Sequence, residues 1–296
     1  MPSRDCVLFV THRWSPSVAA HYARLKREAG TVLDVYLVYQ ASSPEAVPAG
    51  VSPDVVVTLE DIASVFPQRF AQYRTTWTFH SGELAWMAAV GRAPLSAYER
   101  VWALEYDVDF SGNWATFFGA AVGYEGDLLG LDLRYRHKTP KWPNATDYEQ
   151  PAYAPPEPVI GFFPIVRASR RLIDSYRNEL EAEGWKGHFE IVLPSLALAK
   201  GFSVSEIGGD SGFTPNERRG LHYSTPALVG HAAATFLFRP PRSFHYFVEA
   251  PRSFRQPNRL YHPVKTDLPL GDRIALSWRK FGHHWVAFRN RMLRRG

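Results

Sequence analysis

The chain has 296 residues, with 34 Lys and Arg against 29 Asp and Glu, 11 His, nine Trp and one cysteine, and 45% of it is hydrophobic. That length and apolar content can bury a substantial core and exclude a disordered or small-scaffold protein, and the lone Cys6 excludes a disulfide framework and a cysteine-cluster zinc site. No apolar run approaches the roughly 18 residues of a membrane span, and the start Met1-Pro-Ser-Arg-Asp5 lacks the regions of a secretory signal, so a cytoplasmic location is expected.

Val7-Leu-Phe-Val-Thr11 is a short β-rich apolar run, the pattern of a buried parallel strand. Ser15-Pro16-Ser17 then supplies a cap and a first-turn proline for a helix in which Val18, Tyr22 and Leu25 keep helical spacing up to Gly30. Val32 to Tyr39 and Val55 to Leu59 read as the second and third strands, His80 to Val90 as a helix, and Arg100 to Tyr106 as a strand running directly into Asp107-Val108-Asp109. This alternation predicts an α/β fold with a mixed, mostly parallel sheet flanked by helices, whose ligands sit at the strands' C-terminal ends.

Trp114 to Val122 is expected to be helical and Asp127 to Leu131 a short strand. Residues 138–158 carry six prolines with Trp142, Tyr148 and Tyr153, a long loop that reads either as a substrate wall or as a loop packed by its own aromatics. Val159 to Val166 reads as a strand, Ser169 to Glu183 and His188 to Lys200 as helices ending at Gly184 and Gly201, and Ser203 to Ile207 as a strand. Residues 239–263, with five prolines, are expected to wrap the surface ahead of a basic helix from Arg273 to Arg295. The simplest division is one domain over 1–265, made of a nucleotide-binding half (1–110) and an acceptor half (111–265), followed by a basic C-terminal helix within 266–296.

Charge is unevenly spread. Residues 239–296 hold 13 Lys and Arg against three acids, a net of +10, which leaves −5 in residues 1–238. An anionic partner is therefore expected near the C-terminal fifth. Prolines interrupt this stretch too often for a recognition helix and it holds no nucleic-acid motif, so no nucleic-acid partner is expected. On the last helix Phe281, Trp285, Phe288 and Met292 share one face. That face suits docking onto the core, the preferred reading, or peripheral contact with the inner face of a membrane.

Three segments carry chemistry. Asp107 and Asp109, with Glu105 two residues earlier, place carboxylates at a strand end where they can converge on one divalent cation; a turn or cap explains the same triplet. Glu190, in Gly187-His188-Phe189-Glu190, lies in the first turn of a helix, where a carboxylate can take a proton from a hydroxyl or merely cap. His262, three residues before Lys265, offers a metal ligand beside a counter-charge for a diphosphate, with His12, His80, His222 and His231 as competitors. Walker A, Gly-x-Gly-x-x-Gly and Gly-x-Ser-x-Gly motifs are absent, which removes the main signals for ATPases, dinucleotide oxidoreductases and serine hydrolases.

In this order the segments Glu105-Tyr-Asp-Val-Asp109, His188-Phe-Glu-Ile-Val-Leu-Pro-Ser195 and His262-Pro-Val-Lys265 resemble a nucleotide-sugar glycosyltransferase of the GT-A fold, Asp-x-Asp type. The likeness spans roughly residues 5–265, and the Gln-x-x-Arg-Trp motif of processive synthases is missing. The resemblance implies a hexosyl- or pentosyltransferase acting on a nucleoside diphosphate sugar and a glycan or lipid-linked acceptor. It implies Mg²⁺ or Mn²⁺ held by Asp107, Asp109 and His262, with Lys265 on the diphosphate. Thr11, His12 and Arg13 would lie near the base or ribose, and Glu190 would be the general base of an inverting displacement. Asp127 and Asp132 are alternatives to Glu190. A metal-dependent phosphoesterase or nucleotidyltransferase, and a non-catalytic sugar- or membrane-binding module, remain competing readings.

Overall fold

The computed structural model describes residues 5–74, 81–138, 147–182, 184–225, 234–236 and 256–267. The expected basic helix over 273–295, most of the 239–263 wrap, and His80, Trp142 and His231 lie outside them.

Strands β1 (Asp5–Thr11), β2 (Asp34–Gln40), β3 (Val55–Val57), β4 (Arg100–Glu105), β6 (Leu128–Tyr135), β7 (Val159–Ser169) and β8 (Val204–Glu206) form one sheet in the order β3-β2-β1-β4-β7-β6-β8. Six run the same way, and β7, between β4 and β6, runs against them. The expected mixed, mostly parallel α/β sheet is thus what the chain forms.

Its continuous apolar strands are covered on both faces. Along β1, Cys6 and Leu8 enter one core while Val7 and Phe9 enter the other, as alternation on a pleated strand requires. The first core takes in α2 (Leu59–Val65), α4 (Glu83–Val90), α6 (Arg170–Leu180) and α7 (Phe189–Ala199); the second takes in α1 (Pro16–Ala29) and α5 (Trp114–Ala121). Every residue of α4 is buried, so it carries no polar stripe. α3 (Pro67–Gln72) follows α2 directly, and neither was anticipated.

Two strand boundaries differ from expectation for identifiable reasons. β3 stops at Val57 because Thr58 caps α2: its Oγ1 accepts from the Asp61 N–H at 3.2 Å, and the Asp61 carboxylate accepts from the Thr58 N–H at 2.7 Å. That closed capping box replaces further ladder bonds. β6 continues past Leu131 to Tyr135 through an extra residue, Asp132, at φ +48°. The bulge turns Leu131 to one core and Leu133 to the other, which breaks the period that sequence reading relies on.

One further pairing builds the site. β5 (Asp109–Phe110) lies antiparallel to β9 (Leu260–Tyr261), and the Val264 N–H donates to the Asp107 carbonyl at 2.7 Å. Residues some 155 positions apart are thereby clipped together at the sheet's C-terminal edge.

Candidate functional site

The ends of β1 and β4 emerge side by side, since Val10 is registered with Glu105. After Glu105 the chain turns, with the Val108 N–H donating to the Glu105 carbonyl at 3.0 Å. This turn separates the two aspartates. Asp107 points toward the 262–265 segment: Lys265 Nζ lies 2.5 Å from Asp107 Oδ2, and His262 Nε2 lies 3.9 Å from Oδ1. Glu105, Asp107 and His262 each offer a ligand atom within 4.8 Å of the others'.

Burial alone would raise the Asp107 pKa, but His262 and Lys265 hold it below the ordinary carboxylate value. Burial works against the Lys265 ammonium too, and Asp107 and Tyr106 overcome it and raise its pKa. Lys265 also donates to the Tyr106 hydroxyl at 2.6 Å and lies 4.3 Å from the centre of that ring. Asp107 Oδ1, although buried, has no hydrogen-bond partner. An orphaned carboxylate oxygen beside an imidazole and a second carboxylate is a donor set that fits Mg²⁺ or Mn²⁺.

The β1 end joins this group. His12 packs edge-on against Tyr106 with centroids 5.4 Å apart, and burial, Lys265 and Arg13 all lower its pKa. Arg13 lies 5.8 Å from the Tyr106 ring centre and 3.7 Å from Asp267. The Thr11 hydroxyl is spent locally, donating to the Arg13 carbonyl at 2.6 Å. Thr11, His12, Arg13, Asp107, His262 and Lys265 are thus gathered at one edge.

Asp109 and Glu190 are not in that group. Asp109 Oδ1 pairs with Arg24 of α1, approaches His21 Nε2 at 3.4 Å and accepts the Phe110 N–H at 2.7 Å. A cavity of about 370 Å³ opens on this side, lined by His21, Arg24, Tyr106, Asp109, Val264 and Asp267 among others. Glu190 sits in the first turn of α7 with His188 as N-cap, whose Nδ1 accepts from the Glu190 N–H at 3.2 Å. α7 meets β7 through Phe189 on Phe163, whereas His262 stands against Phe162, the next side chain and hence on the opposite face.

The alternative acids have distinct surroundings. Asp127 is a latch: bonds from Arg171, Ser169 and Ser203 overcome burial and hold its carboxyl well below the usual range. Asp132 is raised by burial and paired with Arg134 at 2.5 Å, with its own N–H donating to the Tyr223 hydroxyl at 2.6 Å. His222 is a packing histidine, bonded to the Tyr124 hydroxyl at 2.7 Å and edge-on to Phe117, and burial with Arg259 and Arg218 lowers it to about 4. In the 138–158 loop, the described Tyr148 and Tyr153 pack on Trp185, which lies outside the loop.

Sequence reading did not assign Glu105 to the site, though its spacing of two from Asp107 equals that of Asp109. Tyr106, Arg24 and His21 carried no signal.

Among the described residues no helix is long and apolar enough to cross a membrane. No family model matches the chain, and no curated protein matches it. Among solved structures it is similar to the mannosyltransferase Ktr4p from S. cerevisiae, at 13% identity and a TM-score of 0.37 over 69% of this chain and 68% of that one. It is also similar to Ktr4p in complex with GDP, at 10% identity and a TM-score of 0.33 over 67% and 66% of the two chains.

Proposed function

We propose that the chain is a metal-dependent glycosyltransferase that moves a sugar from a nucleoside diphosphate donor to an acceptor hydroxyl. The observation that carries the reading is the convergence of Glu105, Asp107, His262 and Lys265 beside the β1 end, with Asp107 Oδ1 buried and without a hydrogen bond.

In this reading Glu105, Asp107 and His262 hold the cation, which when bound neutralises the diphosphate as it leaves. Asp109 is not a ligand but fixes the turn by pairing with Arg24. Lys265 and Arg13 supply fixed positive charge for the phosphate oxygens, and Thr11, His12 and Tyr106 form the nearby wall for the nucleoside. A general base takes the acceptor hydroxyl proton as the new bond forms at the anomeric carbon; this reading leaves Glu190 out of that role, since α7 and His262 meet β7 on opposite faces. The anomeric carbon–oxygen bond to the diphosphate breaks, its electron pair leaves with the nucleoside diphosphate, and the configuration inverts. The donor sugar is a hexose or pentose and the acceptor a glycan or lipid-linked hydroxyl.

The test is release of nucleoside diphosphate from a panel of UDP-, GDP- and dTDP-sugars with Mn²⁺, water serving as acceptor. One nucleotide class should be released, and release should disappear with chelator and in Asp107→Asn. A folded protein that neither releases nor binds any of them would favour the non-catalytic binding module. Release of monophosphate instead would favour the phosphoesterase or nucleotidyltransferase.

A further inference from the structure

Lys265 already occupies one side of the carboxylate that the cation reading needs. Its Nζ is 2.5 Å from Asp107 Oδ2, and it donates to the Tyr106 hydroxyl at 2.6 Å while lying 4.3 Å from the centre of that ring. Asp107 is thus divided between two uses. Oδ2 is neutralised by the ammonium, whereas Oδ1 is buried, makes no hydrogen bond and stands 3.9 Å from His262 Nε2. A divalent ion entering beside Oδ1 has to share one carboxylate with a positive charge already in place.

Glu105 and Asp107 bring two negative charges, and Lys265 cancels one of them. With His262 neutral, as a metal ligand must be, a divalent ion by itself would leave one positive charge in excess. Water screens little of it, since the Asp107 and His262 side chains are 9% and 7% exposed, and like charges repel far more strongly in such surroundings than in open solvent. His12 senses the same field: after burial, Lys265 and Arg13 are what act against its protonated form. A nucleoside diphosphate brings the negative charge that a second cation requires.

Lys265 is also placed to change partners. Its segment is held independently of the ammonium, by the Val264 N–H on the Asp107 carbonyl at 2.7 Å and by β9 against β5. Its side chain keeps 15% exposure. Rotation about the bonds of its flexible stem therefore carries the ammonium from Asp107 to an arriving phosphate while the backbone stays clipped.

We infer that Lys265 is an internal counter-cation: it keeps Asp107 closed to a bare divalent ion and releases it only when a nucleoside diphosphate arrives with the metal. The inference rests on the reading of Glu105, Asp107 and His262 as the cation site, and adds to it the order in which that site can fill. Metal and nucleotide then bind with positive coupling, each raising the other's affinity by the same factor.

The experiment reads free Mn²⁺ by electron paramagnetic resonance, together with melting midpoints, each with and without UDP, GDP or dTDP. Wild type should hold bare Mn²⁺ weakly, and on the order of 100-fold more tightly with one of the three diphosphates. Lys265→Met keeps the stem's bulk and removes the charge. It should bind bare Mn²⁺ about tenfold more tightly than wild type, and the gain from the diphosphate should shrink by a similar factor. Mn²⁺ alone should raise the melting midpoint of Lys265→Met, because the ion takes over the counter-charge of Asp107, and leave that of wild type nearly unmoved. Adding His262→Ala should abolish the tighter binding. Lys265→Gln, which can still donate to Asp107, should change in the same direction and decides the matter if the methionine variant does not fold.

Wild type that binds bare Mn²⁺ as tightly as it does with diphosphate would overturn the inference. So would equal affinity for bare Mn²⁺ in wild type and a folded Lys265 variant, and both results leave the cation site standing. Absence of Mn²⁺ binding from every protein, with and without diphosphate, would sink the cation site itself and the inference with it.

Discussion

Replacing Asp109 by alanine should cost stability rather than metal affinity. The side chains of Asp109, Arg24 and His21 are 9%, 13% and 10% exposed, so removing the carboxylate strands a buried guanidinium without its counter-charge and leaves the Phe110 N–H without its acceptor. Breaking a buried pair from one side costs about 3–5 kcal/mol. Arg24 keeps its bond to the Phe110 carbonyl at 3.0 Å, which places the expected loss at the lower end, about 3 kcal/mol. Urea unfolding followed by tryptophan fluorescence reads this directly, because Trp114 stacks near His21. Replacing both partners, Asp109→Leu with Arg24→Met, should recover most of the loss, since the desolvated charges go together. An Asp109→Ala protein that unfolds at the wild-type midpoint but no longer responds to Mn²⁺ would refute this assignment and restore Asp109 as a ligand.

Two buried groups should shape the pH dependence of stability in opposite directions. Burial raises Glu83 to about 7 from an ordinary 4.5, so the folded state holds its proton over a range where the unfolded chain has lost it. Stability should therefore fall as pH rises from 4.5 through 7, by about 3 kcal/mol in all, and Glu83→Gln should remove that slope in melting midpoints at pH 5 and 8. His222 is lowered to about 4 from 6.5. Its contribution is complete above 6.5 and should be lost as pH falls through 4, again by about 3 kcal/mol, a slope that His222→Gln should flatten. Gly187→Ala should destabilise by about 2 kcal/mol in urea unfolding, because a non-glycine residue at φ +106° is strained and its Cβ meets the Tyr148 backbone.

What could be read in advance were the features fixed by local chemistry. β1, β2, β4 and β7 announce themselves as apolar runs because both their faces are covered, and the Ser15 cap of α1 accepts the Val18 N–H as its spacing predicts. β6 was cut short because the bulge at Asp132 interrupts the alternation. In the site, Asp107, His262 and Lys265 were legible as motif positions, yet nothing local says that Val264 will bond to Asp107. The choice between Glu105 and Asp109 was illegible for a geometric reason. In extended backbone 105, 107 and 109 would share a side, but the turn closed between Glu105 and Val108 sends Asp109 to Arg24, 85 residues away.

The central claim is that Glu105, Asp107 and His262, not Asp109, hold a divalent cation for a nucleoside diphosphate. Isothermal titration of UDP, GDP and dTDP in the presence of Mn²⁺ tests it most directly, on wild type, Asp107→Asn, His262→Ala and Asp109→Asn. Wild type should bind one of the three only with metal, Asp107→Asn and His262→Ala should lose at least tenfold in affinity, and folded Asp109→Asn should bind as wild type does. Wild-type affinity in Asp107→Asn, or loss of binding in a folded Asp109→Asn, would contradict it.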